Sequence, residues 1–321
     1  MPEYGGGRDL HVDAVLSNMV IGRRPAGYVA DQIVPIQSVR KQSDTYYKID
    51  HMSFRRNDPG LSARAPGTLA RKVKFTVSSD TYFAKNYALG ADWVVEDEVN
   101  ADEALQWATQ HAELVTDRLM IDFEIRIAAK ANDPANTLNN TVTHVATAWS
   151  NVTGSRPLDD LADMAERFRT GTGLKPNVLI YPEEVGTYLR RNDQIADKLF
   201  GDRGGSATDE QIASLINIPK VLVPSILINS VSEGQTLAGS ATLIAAWGKK
   251  VWMAYIAPAA GYKVDTWIQG FRWTSPLLGT PWAVQRFPFD ARRKSWDIEV
   301  GYYQDEKIIS SDLATAIDSV I

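Results

Sequence analysis

The chain has 321 residues, of which 44% are hydrophobic and 23% charged, with a net charge of -5. This acidic balance argues against a protein whose main activity is binding nucleic-acid phosphates, because such proteins carry an excess of basic residues. There are no cysteines, which excludes disulfides, thiolate metal sites and a cysteine nucleophile. The most apolar stretch, residues 242–258, contains two adjacent lysines and is too short on either side of them to cross a bilayer. We therefore expect no membrane partner.

The first 43 residues contain several glycines and prolines and few periodic patterns. This composition predicts an extended N-terminal arm with one short helix near residues 12–17. A segment of this kind has no apolar core of its own. We therefore expect the arm, residues 1–43, to pack on another part of the fold.

Two segments rich in aromatic and β-branched residues, 44–54 and 72–83, predict strands, and the second alternates apolar and polar side chains. Residues 55–71 between them hold two Pro-Gly dipeptides and four arginines, which is too irregular for a tight two-residue turn. The pattern therefore predicts a long hairpin with a broad basic tip, and a plain exposed surface loop over residues 55–71 stays open as the alternative.

Residues 102–133 contain neither proline nor glycine, and Pro134 follows them. Apolar residues recur at spacings of three and four, the mark of a helix with one buried face. The members of this stripe are Leu105, Ala108, Ala112, Val115 and Leu119. At 1.5 Å per residue the segment predicts a rod of about 45 Å, longer than most globular helices.

Helical and strand patterns alternate from residue 150 to residue 257, which predicts an α/β domain. Residues 177–181 are typical of a buried strand, and a proline with two acidic residues begins the helix that follows. The last segment, residues 258–321, predicts further strands.

No catalytic pattern stands out in the chain. The four histidines are scattered and show no metal-ligand spacing. The glycines in residues 169–177 follow a helix and lead into a strand, so they predict a helix end rather than a phosphate loop. Carboxylates such as Asp159 and Glu183 lie in the first turns of predicted helices, where they complement the helix dipole. We therefore predict no enzyme, no cofactor and no metal, and keep as an alternative a cytoplasmic α/β enzyme that uses carboxylates near these two residues.

Two segments carry opposite charge. Residues 40–74 hold nine basic and three acidic residues, a net of +6, and residues 96–133 hold ten acidic and three basic residues, a net of -7. The candidate basic contact comprises Arg55, Arg56, Asp58, Arg64, Arg71 and Lys72. The candidate acidic helix surface comprises Asp102, Glu103, Glu113, Asp117, Asp122 and Glu124. We expect the hairpin of one copy to cover the acidic helix of a neighbour, and pairing within one chain or plain solvation of both faces stays open as an alternative.

The order and lengths of these elements resemble the major capsid proteins of tailed bacteriophages, of the Hong Kong 97 type. The closing residues, "FPFDARRKSWDIEVGYYQDEKIISSDLATAI", are similar to the C-terminal pattern of that family. The resemblance implies an α+β fold with an N-terminal arm (1–43), an extended β-hairpin loop (44–90) and three further parts. These are a peripheral domain with a long spine helix (91–149), an axial α/β domain (150–257) and a returning peripheral/axial segment (258–321).

The resemblance also implies the function and the partners. The protein would self-assemble into pentamers and hexamers of an icosahedral shell around double-stranded DNA, which it would hold without sequence-specific binding. Assembly would take place in the host cytoplasm, and the final location would be the virion. A portal and a decoration protein are the further partners that we expect.

Two departures from the family pattern matter. The loop begins near residue 44, which leaves no room for the N-terminal scaffolding segment of some relatives, so we expect a separate scaffolding protein. Lys72 lies near the loop base and the cations of the tip are arginines. The covalent lysine–asparagine link of certain relatives is therefore not expected, and contacts should be non-covalent. An encapsulin-like bacterial compartment is the close alternative, and the long arm favours the phage capsid because encapsulins replace it with a helix.

Overall fold

The computed structural model describes residues 11–22, 27–49, 63–70, 72, 77–100, 107–140, 142–201, 205–229, 243–261, 264–275 and 279–321. Its helices are α1 (Ala14–Gly22), α2 (Ala30–Ile33), α3 (Val95–Asn100), α4 (Trp107–Asn132), α5 (Pro157–Thr172), α6 (Glu183–Arg190), α7 (Asp193–Phe200) and α8 (Asp209–Leu215). Its first strands are β1 (His11–Val12), β2 (Ile36–Val39), β3 (Ser43–Ile49), β4 (Val77–Phe83), β5 (Lys85–Val94), β6 (Val142–His144), β7 (Val178–Ile180) and β8 (Lys220–Leu222). The remaining strands are β9 (Leu227–Asn229), β10 (Leu243–Ala245), β11 (Val251–Ala254), β12 (Ile268–Trp273), β13 (Trp282–Arg286), β14 (Ser295–Ile308) and β15 (Ala314–Asp318).

A six-stranded sheet is built around the long strand β14. Along one edge β14 pairs with β13 and then β12, and along the other edge it pairs with β5 over ten residues. The N-terminal arm adds β1 beside β13 and β2, in parallel, beside β12. The described part of the arm therefore belongs to the sheet. Its predicted helix near residues 12–17 is found as α1 over Ala14–Gly22, because Val12 instead pairs in β1.

The predicted long helix is confirmed as α4, whose 26 residues make a rod of about 39 Å. Residues 101–106 lie outside the described part of the chain. The helix lies against β5 and β14, and its apolar stripe packs with α1. The buried side chains at this contact are Leu16, Val20, Val115, Leu119, Trp282, Val284, Val300 and Tyr302.

A five-stranded sheet forms the second core, in the order β6-β15-β11-β7-β8. Its central strands β7 and β11 are buried along their whole length, as continuous apolar runs require. The predicted strand at 177–181 and the helix after it are confirmed as β7 and α6. Strands β6 and β15 come from outside residues 150–257, so both flanking segments contribute to this sheet.

The helix end predicted for the glycines of residues 169–177 is confirmed at Gly173. This residue follows α5 in the left-handed region at φ 68°, where a glycine carries no side-chain penalty. Its backbone N–H donates to the carbonyl of Arg169 at 2.7 Å. No phosphate loop is formed by this segment.

Two ribbons of two strands each stand beside the sheets. The predicted hairpin pairing is confirmed, since β3 pairs antiparallel with β4 from Ser43↔Phe83 to Ile49↔Val77. Residues 85–90, which the sequence pattern assigned to the loop, instead lie in β5 because that strand pairs with β14 throughout its length. The second ribbon joins β9 and β10.

Candidate intersubunit surface

The β3–β4 ribbon is anchored to the six-stranded sheet by three aromatic rings. Tyr46 and Tyr82 are each 2% exposed and both pack on Phe271 of β12. The ring centroids lie 4.9 Å apart for Tyr46 and Phe271 and 4.6 Å apart for Tyr82 and Phe271, the latter pair stacked. Aromatic contacts of this kind stabilise beyond the area that they bury. They fix one face of the ribbon to the body of the molecule.

Polar contacts across the two strands keep the ribbon in register. The Tyr46 hydroxyl donates to Asp80 at 3.1 Å, and the Lys48 ammonium lies 3.1 Å from the same carboxylate. The Thr81 backbone N–H and then Lys48 hold the pKa of Asp80 below its ordinary value. Burial, followed by the charge of Asp80, raises the pKa of Tyr46. The carboxylate is therefore ionised and the phenol neutral at physiological pH.

The opposite face of the ribbon is exposed, and it carries three large apolar side chains among the polar residues Ser43, Thr45, Ser79 and Thr81. Side chains alternate along a strand, and cross-strand partners share a face. Tyr47, Val77 and Phe83 therefore lie on the face that points away from Phe271, and they are 58%, 45% and 52% exposed. We call these three side chains the outer face of the ribbon. An isolated two-stranded ribbon is marginally stable in water, so three exposed apolar side chains on its outer face suit a further contact.

The structure describes part of the predicted basic contact. Arg64 and Lys72 are exposed, as are all of residues 63–70, among which Leu69 is 96% exposed. In the chain, these positions belong to the segment that connects β3 to β4 at the tip of the ribbon. The other predicted residues, Arg55, Arg56, Asp58 and Arg71, lie outside the described residues.

The predicted acidic surface of the long helix is smaller than the sequence indicates. Glu113 and Asp117 are half-buried and Asp122 is exposed, and the last of these forms an ion pair with Arg126 one turn further on. Asp102 and Glu103 lie outside the described residues.

Glu124 does not belong to the acidic surface, and its assignment there was wrong. The residue is 1% exposed. Its carboxylate accepts the backbone N–H groups of Val29 at 3.1 Å and Ala30 at 2.9 Å and the indole N–H of Trp247 at 2.8 Å. Burial raises the pKa of Glu124 against the opposing effect of these three donors. The side chain joins the long helix to the N-terminal arm at the start of α2 and to the segment before β11.

The spacing of Glu124 from buried residues of the helix indicates that it is buried, although the net charge of the segment does not. It lies three residues before Ile127 and four before Ala128, and both of these side chains are buried. Residues at these spacings share one helix face. An acidic residue inside an apolar stripe therefore points to a buried carboxylate with dedicated donors.

Arg126 connects the long helix to the six-stranded sheet. Its guanidinium lies 3.8 Å from the ring centroid of Tyr87, donates to the Tyr302 hydroxyl at 3.0 Å and donates to Glu306 at 3.1 Å. Glu306 is 2% exposed and also accepts from the Gln304 amide at 2.9 Å. The exposed Asp122 is thus the outer end of a buried polar network, and its ion pair with Arg126 neutralises part of its charge.

Replacing Arg126 by methionine should lower the free energy of unfolding by about 2 kcal/mol, because Glu306 would keep its buried charge without its cationic partner. Chemical denaturation of the unassembled chain measures this loss. Arg118→Met is the matched control, since Arg118 is an exposed arginine on the same helix, and it should change stability by less than about 0.5 kcal/mol. Equal losses in the two variants would contradict the role of the network.

The carboxylates kept for an enzyme alternative have structural partners. Asp159 pairs with Arg156 at 3.3 Å, and Glu183 pairs with Arg190 of the same helix. His111 packs between the rings of Trp93 and Trp107. Across the described residues, no group of three or more His, Asp or Glu side chains could hold a metal ion. None of the helices in the described ranges is long and apolar enough to span a membrane.

No protein-family model matches the chain. It is 23% identical over 252 residues to the major capsid protein of Burkholderia phage BcepMu, an alignment that covers 76% of each chain. It is 24% identical over 241 residues to the major capsid protein of Pseudomonas phage JBD67, with 74% of each chain covered. The chain is a homologue of phage major capsid proteins.

Solved structures show the same capsid fold. A phage-related protein from Bordetella bronchiseptica RB50 superimposes with a TM-score of 0.74 at 18% identity, covering 97% of this chain and 98% of that one. The capsid of cyanophage P-SCSP1u gives a TM-score of 0.58 at 12% identity, with 89% and 86% covered. The mixed helix and sheet architecture is thus that of phage capsid proteins.

The encapsulin alternative also has a structural neighbour. The SrpI encapsulin of Synechococcus elongatus PCC 7942 gives a TM-score of 0.51 at 11% identity, covering 97% of this chain and 96% of that chain. This score is lower than those of the two phage-related structures. The fold likeness therefore extends to this encapsulin, at a lower score than to those two structures.

Proposed function

We propose that this chain is the major capsid protein of a tailed phage and that its copies assemble into pentamers and hexamers of an icosahedral shell around double-stranded DNA. The proposal is supported by the names of its two phage relatives and by the likeness to phage capsid folds. An architecture of the Hong Kong 97 type is consistent with both. The finished shell is the location that this function requires, reached after assembly in the host cytoplasm.

The observation that carries the proposal is the outer face of the β3–β4 ribbon. One face of the ribbon is anchored through Tyr46 and Tyr82, and the other presents Tyr47, Val77 and Phe83 to solvent. Exposed apolar side chains of this kind are unusual on a monomeric enzyme, whereas a subunit that packs its loop on a neighbour requires them.

The proposed parts of the subunit follow the described architecture. The six-stranded sheet and α4 would form the peripheral domain with its spine helix, and the five-stranded sheet with α5 to α8 would form the axial domain. The ribbon within residues 44–90 would be the extended loop, and residues 1–43 the arm. Residues 258–321 would return through both sheets, as β12 to β15 do.

Electrostatics would guide the loop onto a neighbouring copy. Arg64 and Lys72 are the exposed members of the predicted basic contact among the described residues. Arg55, Arg56, Asp58 and Arg71 would contribute from outside the described residues. On the neighbour, Glu113, Asp117 and Asp122 are the described acids of the long helix that are not fully buried, with Asp102 and Glu103 proposed before them. Contacts between solvent-accessible charges weaken with salt, so the rate of assembly should fall as ionic strength rises.

The remaining partners are proposed from the same function. A separate scaffolding protein, a portal and a decoration protein would act with the shell, and the contacts between copies would be non-covalent. Packaged DNA would rest on an acidic wall without sequence-specific binding, because a basic wall would hold its phosphates in place.

The function is tested by sedimentation and electron microscopy of the purified full chain, alone and with the products of neighbouring genes. Closed shells, or rings of five and six copies, are the expected result. A particle that stays monomeric at every concentration would contradict the proposal. Shells that enclose a protein cargo, with no DNA protected from nuclease, would favour the encapsulin alternative.

Placing a charge on the outer face should block assembly without unfolding the chain. Tyr47→Asp and Phe83→Asp each put a carboxylate where we propose that a neighbour packs, and a desolvated unpaired charge opposes association. Sedimentation should show loss of assembled protein, and circular dichroism should show an unchanged fold. Val15→Asp is the control, because Val15 is an apolar residue of α1 that is 78% exposed, and it should assemble normally.

A further inference from the structure

A groove of about 480 Å³ lies at one end of the five-stranded-sheet unit. One stripe of α5 forms one wall, and the turn between α8 and β8 forms the other. The apolar residues of the lining are Leu158, Ala162, Ala165, Pro176, Leu215, Ile216 and Ile218. Pro176 precedes β7 and Ile218 precedes β8, and these two strands are parallel. The groove therefore lies at their amino ends.

The rim of the groove is basic. Lys175 and Lys198 line it and are exposed, and neither forms an ion pair with any other described residue. Arg169 also lines it but is paired with Glu166, whose carboxylate accepts from the guanidinium at 2.8 Å. Three cations and one carboxylate thus surround an apolar floor. We call this site the lysine groove.

The opposite end of the same two strands is acidic. Helix α6 begins there, directly after β7, with Glu183 and the exposed Glu184. The start of α8 reaches the same end, because the Tyr181 hydroxyl donates to Asp209 at 2.7 Å and the exposed Glu210 comes next in the chain. Arg190 offsets part of this charge by pairing with Glu183 and lies 3.7 Å from Asp209.

The β9–β10 ribbon starts close to the first turn of α6. The Glu183 backbone N–H donates to the Pro224 carbonyl at 3.2 Å, and β9 starts shortly after this proline. Leu227 pairs with Ala245, two residues from Leu243, so both leucines share one face of the ribbon. They are 51% and 55% exposed. We call the two exposed leucines of this ribbon, together with Glu184 in the first turn of α6 and Glu210 in the first turn of α8, the leucine knob.

We propose that the leucine knob of one copy of this chain seats in the lysine groove of the next copy, with the leucines on the apolar floor and the two glutamates facing the two exposed lysines. The knob and the groove complement each other in polarity and in charge, and they lie at opposite ends of one unit. A contact between two different surfaces repeats from copy to copy and closes into a ring if the rotation allows it. The inference rests on the proposed shell function and names surfaces that hold its rings together.

Charge reversal on the full chain tests this contact. One variant carries Lys175→Glu with Lys198→Glu, a second carries Glu184→Lys with Glu210→Lys, and a third carries all four changes. Each double variant sets like charges against each other at every contact, whereas the fourfold variant restores opposite charges in exchanged positions. Lys249→Glu, at an exposed lysine that does not line the groove, is the matched control.

Sedimentation should show that each double variant loses assembled protein about tenfold or more, and that the fourfold variant and the control assemble like the parent chain. Recovery in the fourfold variant separates a lost contact from damage to α6 or α8, since it contains every substitution of both double variants. The inference is overturned if the double variants assemble like the parent, or if the fourfold variant is folded by circular dichroism but stays dissociated. A parent chain that never assembles contradicts the shell function, and this contact with it.

Discussion

Glu124→Ala should lower the free energy of unfolding by about 3–5 kcal/mol, the largest loss that we expect from a single polar substitution. The change removes a carboxylate that is 1% exposed and leaves the N–H groups of Val29, Ala30 and Trp247 buried without an acceptor. An unsatisfied buried donor costs about 1–3 kcal/mol. Urea denaturation of the unassembled chain measures the effect.

Two further variants make this prediction specific. Glu124→Gln keeps one acceptor oxygen and should lose less stability than the alanine variant. Glu113→Ala is the same change at a half-buried position on the same helix, and it should cost less than about 1 kcal/mol. If Glu124→Ala were no more destabilising than Glu113→Ala, the carboxylate would not be the link between the long helix and the N-terminal arm.

Phe271→Ala should both destabilise the chain by about 3–5 kcal/mol and abolish assembly. The ring is 1% exposed, and its loss would leave a cavity beneath Tyr46 and Tyr82. Without that contact the β3–β4 ribbon loses its anchor on the sheet, and an unanchored two-stranded ribbon is marginal in water. Denaturation measures the stability, and sedimentation measures assembly.

Hydrogen exchange locates the effect of Phe271→Ala. Backbone amides of β3 and β4 should exchange faster in the variant, whereas those of the five-stranded sheet should keep their relative protection. Phe289→Ala is the matched control, because Phe289 is 40% exposed, and it should cost less than about 1 kcal/mol. Normal assembly of Phe271→Ala would show that the anchor is not needed for contact between copies.

Local patterns predicted much of the fold. The three-and-four spacing of apolar residues gave the long helix, and the same stripe is buried at Ala112, Val115 and Leu119. The strand predicted over residues 72–83 is found as β4 over Val77–Phe83, and residues 73–76, which carry most of the alternation, lie outside the described residues. These features are set by neighbours in sequence, so a single chain is enough to predict them.

Contacts between distant residues could not be predicted in this way. The arm strand β2 pairs with β12 more than two hundred residues later, and no local pattern encodes that choice. Glu124 was counted as a surface charge because a net charge along the chain does not record which helix face each residue occupies. The β9–β10 ribbon and the lysine groove could not be predicted either. Each brings together residues from separate segments of the chain, and the groove depends on the pairing of β7 with β8.

The central claim is that the outer face of the β3–β4 ribbon is covered by a neighbouring copy. Electron cryo-microscopy of the assembled particle tests it most directly. The account predicts that Tyr47 and Phe83 of one copy pack on another copy, with the ribbon lying across that copy's long helix. A particle in which this face stays bare, or folds back on its own chain, would contradict it.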